Sequence, residues 1–173
     1  MTALPQLPDH PLGVDSARLA AANINPRTGL ATDYLNHFNE AVMLLDLLPD
    51  IPECIVELIG WEPVSYQEHF AASGFKDREL AIAAYEAAEP IARVRLDELA
   101  DTMNALLVAT CEAFQRRASL ASANALAAET AARLKPMVAQ AGAIINGYDI
   151  ETSDDMTTAE QQATVDALLE RWA

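Results

Sequence analysis

The chain has 173 residues, 51% of them hydrophobic and only 6% aromatic, and its 11 Lys and Arg stand against 26 Asp and Glu for a net charge of −15. That length is one domain with room for a real core. A polyanion of this kind repels phosphate backbones and anionic bilayers, so the expected partners include no nucleic acid and no membrane. The first residues carry no basic stretch followed by an apolar one, and no apolar run nears the ~18 residues that suggest a span, so a cytoplasmic protein is expected.

Residues 1–31 are read as a Pro-rich N-terminal arm with a short helical turn, and residues 32–173 as a helical bundle domain. In the arm, Pro5, Pro8, Pro11 and Gly13 favour an extended path, Asp15 caps a turn through Ser16–Ala22, and Asn25-Pro26-Arg27-Thr28-Gly29 is a strong turn signal. A helix is expected from Asp33 with Thr32 as its N-cap, ending before Pro49. Asp50, followed three residues later by Glu53, is read as the cap of a short helix that stops at Gly60. Ser65-Tyr66-Gln67-Glu68 is a capping box opening another short helix, terminated at Ser73-Gly74, and Asp77 caps the next.

From Arg78 to about Ala118 the pattern is helical, with Glu89-Pro90 a kink or a restart. Leu96, Leu99, Met103, Leu106, Leu107, Thr110 and Phe114 recur at i, i+3, i+4 and mark its core face. A further helix covers roughly Ser122 to Ile145, kinked at Pro136 and ended by Gly147. Thr157-Thr158-Ala159-Glu160 launches a last amphipathic helix with Val165, Leu168, Leu169 and Trp172 on one face. No segment alternates with period two, so the fold class is all-α, a single-domain helical bundle of long kinked helices with short helices packed across them. On this reading the chain has no internal repeat.

The stretch that draws attention is Asp33, Asn36, His37 and Glu40, at i, i+3, i+4 and i+7 on one helical face. The following turns, Ala41 to Leu48, are apolar nearly all round except Asp46, which makes the helix central. Asn39 and Asp46 would then form its narrow solvent stripe, and the polar face would point inward. Two carboxylates and an imidazole so placed could hold a metal or small ligand if another helix closed the shell, with Tyr66, His69, Glu62 and Glu86 as contributors. The ferritin-type Glu-x-x-His motif is missing, and the chain has three histidines, one of them His10 in the arm. The plainer reading has Asp33 accepting a proton from His37, while Asn36 and Glu40 tie down the arm.

Trp61, Tyr66, His69 and Phe70 form a second cluster, read as an apolar plug between short helices rather than a pocket. Glu86, Glu89, Asp97, Glu98, Asp101 and Glu112, with a Glu89–Arg93 pair among them, read as a solvated face. Cys54 and Cys111 have no metal-ligand spacing and read as reduced, buried thiols. No phosphate-binding glycine loop, nucleophile elbow or zincin motif occurs. The expected function is a non-enzymatic protein-association or oligomeric helical module, with itself or a protein partner. The alternative is a small-ligand or metal-binding bundle built on Asp33, His37, Glu40 and His69, with Asn36 and Tyr66 lining the site. No cofactor is implied.

Overall fold

A computed structural model describes residues 11–116 and 119–148. Residues 1–10 and the C-terminal capping box with its amphipathic helix lie outside the described residues. The fold is all-α: among the described residues there is no strand, and the one β-bridge joins Ile24 to Ala31 across the turn between them. No helix among the described residues is long and apolar enough to cross a membrane.

Helix α1 (Ser16–Ala21) is capped by Asp15, whose carboxylate accepts from the Ala17 N–H. The turn that follows is built by Asn25, whose side chain accepts from Arg27 and Thr28 N–H at 2.9 and 3.3 Å. The Thr28 hydroxyl then donates to the Ile145 carbonyl at 2.6 Å. Leu19, Ile24 and Leu30 are fully buried, so this N-terminal stretch contributes to the core.

The next helix departs from the expected start. Thr32–Leu35 is a 3-10 turn without a side-chain cap, and α2 proper runs Asn36–Leu47. The reason is tertiary: the bridge to Ile24 and a bond from the Ala31 N–H to the Tyr66 hydroxyl fix the entry geometry instead of a Thr32 cap. Asp50 does not cap either. Its N–H and that of Ile51 still bond to the Leu47 carbonyl, so it belongs to the trailing turn of α2. A 3-10 turn at Pro52–Cys54 leads into α3 (Ile55–Ile59), which ends at Gly60.

Helix α4 (Tyr66–Ala72) has the full capping box, with Glu68 N–H to Ser65 Oγ at 3.2 Å and Ser65 N–H to the Glu68 carboxylate at 2.8 Å. At the start of α5 (Arg78–Glu86), Asp77 occupies the cap position, but its carboxylate bonds Arg18 at 2.7 Å and no helix N–H. Pro90 is the first residue of α6 (Pro90–Gln115), a restart, and Glu89 caps it through the Ile91 and Ala92 N–H groups. The Glu89–Arg93 pair therefore does not form; Arg93 instead donates to the Glu86 carbonyl at 2.9 Å. Helix α7 (Leu120–Ile145) carries Pro136 in its interior, at the cost of one backbone bond. Gly147 at φ +65° and the Tyr148 N–H, bonded to the Ala143 carbonyl, close it in a Schellman motif.

Helices α6 and α7 pack most extensively on each other, α2 lies against α7, and α3 against α6. Their shared core holds Leu96, Met103 and Leu107 of α6, Leu134 and Ala127 of α7, and Phe38, Ala41 and Leu45 of α2, all within 1% of complete burial. Small residues at these contacts let the backbones approach closely. Between α6 and α7 two buried hydroxyls, Thr110 and Thr130, meet at 3.0 Å, and the Thr110 hydroxyl also donates to the Leu106 carbonyl one turn earlier.

Candidate functional site

The residues singled out in the sequence gather where the 3-10 turn and α2 meet the α3–α4 connector and α4. Two segments with Tyr, His and Phe at the same spacing face each other there: Tyr34-Leu35-Asn36-His37-Phe38 and Tyr66-Gln67-Glu68-His69-Phe70. They share the spacing Tyr-x-x-His-Phe. Their polar tips are exchanged. The Tyr34 hydroxyl donates to the Val64 carbonyl at 3.0 Å, and the Tyr66 hydroxyl accepts from the Ala31 N–H at 2.8 Å. His37 donates to the Glu62 main-chain carbonyl and His69 to that of Asp33. Each segment's Tyr and His therefore tie down backbone beside the other segment's motif, in a two-fold manner.

The rings pack in the same reciprocal way. Tyr34 and Tyr66 lie 5.2 Å apart between centroids, each against its own phenylalanine, and the imidazoles are 6.4 Å apart. Tyr66 also stacks on Tyr85 at 4.5 Å. Trp61 covers His37 at 4.6 Å in a nearly parallel stack. Burial holds both imidazoles below the usual histidine range. For His37 the neighbouring His69 adds to that effect, whereas for His69 the bond to Asp33 and its charge oppose it. Burial likewise pushes the Tyr34 and Tyr66 hydroxyls upward. Two buried polar atoms here have no protein partner, His37 Nε2 and Trp61 Nε1. The His37 imidazole and the Trp61 indole thus each keep one buried nitrogen unmatched by protein.

The expected inward polar face is not what forms. Asp33 and His37 are half-buried, but Asn36 and Glu40 are exposed, on the same side as Asn39 and Asp46. Asp33 does not pair with His37; its carboxylate receives Asn23 Nδ2 at 3.5 Å and its carbonyl receives His69. The reason is rotational: Phe38, Ala41, Leu44 and Leu45 take the buried side, which turns Asn36 and Glu40 outward. Tyr66 is buried and His69 half-buried in the cluster, while Glu62 and Glu86 are exposed at its edge or beyond. Among the described residues no three His, Cys, Asp or Glu side chains gather as metal ligands. The Phe70 and Tyr66 rings fill the plug between the short helices, fully or nearly buried.

Two further features emerge only in three dimensions. Asp97 leaves the solvated face and accepts the Tyr85 hydroxyl at 2.7 and 2.8 Å, with Arg93 5.8 Å from the Tyr85 ring centre. Burial raises the Asp97 carboxyl, and the Tyr85 bond opposes that. On the outer side of α2, Met43 and Leu47 are followed by Ile51, bonded back to the Leu47 carbonyl, so the three form an i, i+4, i+8 ridge. Met43 is 53% exposed and Ile51 45%, and Val56 on α3 is 71% exposed. α2 is therefore not packed on all sides. Compared with known protein families, curated proteins and solved structures, the chain matches none.

Proposed function

We propose that this protein is a non-enzymatic association module that pairs with a second copy of itself through the Met43–Leu47–Ile51 ridge and Val56. The observation that supports this is the ridge: apolar side chains on successive turns, left uncovered while the Tyr34 and Tyr66 hydroxyls of the neighbouring aromatic cluster are occupied with backbone. A symmetric pairing needs only that one surface. Covering three half-exposed side chains on each copy contributes on the order of 6–9 kcal/mol, against roughly 4–15 kcal/mol lost on association. The dimer is accordingly weak.

Glu40 on α2, and Glu53 and Glu57 close in sequence to Ile51 and Val56, are exposed and acidic. Like charge along the rim opposes pairing until salt screens it, at a length that falls from about 20 Å in 0.02 M salt to about 4 Å in 0.5 M. Sedimentation equilibrium should show an average mass that rises with both protein concentration and salt, and that stays monomeric in Met43→Glu/Val56→Glu. A monomer at every salt and up to about 0.5 mM protein rules the reading out.

The His37–Trp61 pair supports a second reading, a small polar ligand held between the indole and the imidazole. It draws on Asp33, His37, Tyr66 and His69 of the sequence candidates and leaves out Asn36 and Glu40, which face away. Trp61 fluorescence unchanged across a panel of small polar metabolites would exclude it.

A further inference from the structure

Far from the aromatic cluster, the Asn25–Gly29 turn, the first turn of α6 and the end of α7 enclose a cleft of roughly 370 Å³, within the size range of small-molecule sites. Arg27 and Arg95 both line it. Four cations, Arg18, Arg116, Arg133 and Lys135, are paired with carboxylates. Among the described residues, neither Arg27 nor Arg95 makes an ion pair.

The Arg27 side chain reaches across to the end of α7. Its guanidinium lies on the backbone of Gly147, where a Cβ would fall 2.5 Å from Nη2 and 2.6 Å from Nε. The φ of +65° favours glycine here, and the bare backbone leaves room for the guanidinium. The Thr28 hydroxyl bond to Ile145 fixes the same turn to the same helix end. The lone carboxylate in the lining, Glu89, accepts from the Ile91 and Ala92 N–H groups and is committed to capping α6. The remaining walls are apolar: Ile91 and Tyr148, 63% and 71% exposed, with Ile144 half-buried between them.

We infer that this cleft binds a carboxylate carried on a small apolar or aromatic body. The two guanidinium groups take the carboxylate through charge-assisted bonds, for which their planar forks are suited. Ile91, Ile144 and Tyr148 take the body. The site is separate from the association ridge and does not depend on it. One carboxylate chemistry has two sources, a free organic acid and the chain itself, since Asp149, Glu151, Asp154 and Asp155 follow Tyr148 in sequence.

The test is an NMR titration of the full chain with phenylacetate, read at the Arg27 and Arg95 Nε–Hε and Gly147 N–H signals, with phenylacetamide as the neutral control. Phenylacetate should shift these signals and the amide should not. Arg95→Gln and Arg27→Gln should each weaken binding roughly tenfold or more, with circular dichroism confirming that both remain folded. Arg95→Gln carries the test if Arg27→Gln, which loses packing on Gly147, does not fold. Asp149→Asn/Glu151→Gln/Asp154→Asn/Asp155→Asn separates the sources. Binding seen only in this neutralised chain supports carboxylate recognition and assigns its source to the chain's own acidic stretch. Absence of any shift in both chains, or equal shifts with phenylacetamide, overturns the inference.

Discussion

Replacing Tyr66 by Phe removes one oxygen and leaves the ring, so it isolates the bond that closes the aromatic cluster. The Ala31 N–H is fully buried and donates to the Tyr66 hydroxyl at 2.8 Å. Without that oxygen a desolvated donor has no acceptor, which costs about 1–3 kcal/mol. Phe retains the stack on Tyr85 and the contact with Phe70, so no packing loss adds to this. Tyr34→Phe is the matched control. There the group left behind is the half-buried Val64 carbonyl, an acceptor with a second lone pair and a path to water, so about 0.5–1.5 kcal/mol is expected. At roughly 2 cal/mol/K of unfolding entropy per residue, the Tyr66 change lowers Tm by about 3–8 °C for a chain of this length. Urea unfolding of the three proteins at neutral pH, with unchanged m-values, gives both differences directly. The reasoning fails if Tyr66→Phe is as stable as the parent, or if Tyr34→Phe costs more.

The depressed imidazoles set a pH dependence of definite sign. The unfolded chain takes up protons near the ordinary ~6.5, before His37 and His69 do in the fold, so stability is complete above that point. It is lost as pH falls below it, levelling once the lower folded-state values are passed. Urea midpoints between about pH 7.5 and 5 should decline in the parent and flatten in His37→Gln/His69→Gln; parallel profiles would contradict the account. Cysteine reactivity gives a separate check. Burial pushes the Cys111 thiol up to about 11, and its Sγ lies 2.8 Å from the Leu58 carbonyl, whereas Cys54 is only half-buried. A thiol reagent should label Cys54 in the native protein and Cys111 only in denaturant, and two fast thiols in the folded state would contradict this burial.

The helices were largely legible because their signals are local. The Ser65–Glu68 box, Glu89 before Pro90, and Gly147 after Ile145 act within a few residues of one another. Asp50, Thr32 and Asp77 show the limit of that reasoning. Each has a capping side chain in a plausible position, and in each case a trailing helical turn, a distant hydroxyl or an ion pair to Arg18 decided otherwise. The candidate site was half legible. His37, Asp33, Tyr66 and His69 do come together, but the face that drew attention to Asn36 and Glu40 is turned by the stronger demand of Phe38, Ala41 and Leu45 for the core. The shared Tyr-x-x-His-Phe spacing is visible in the sequence. What the letters do not supply is the exchange of partners, because the bonds run to main-chain atoms at Ala31, Asp33, Glu62 and Val64, which any residue type offers. The Arg27–Arg95 cleft is less legible still, since its parts come from three distant stretches.

The bond from Thr28 to Ile145 spans 117 residues of chain, which bears on the order in which the molecule can assemble. At roughly 5–20 residues per second of synthesis, the Asn25–Gly29 turn is made about 6–25 s before its anchor exists. Over that interval Leu19, Ile24 and Leu30 lack their final cover. The α6–α7 hairpin, built from near neighbours, forms quickly once both helices are available, and the N-terminal stretch then closes against it. A ribosome-bound chain stopped short of Ile145 is thus expected to hold the Asn25–Gly29 turn without its anchor to α7.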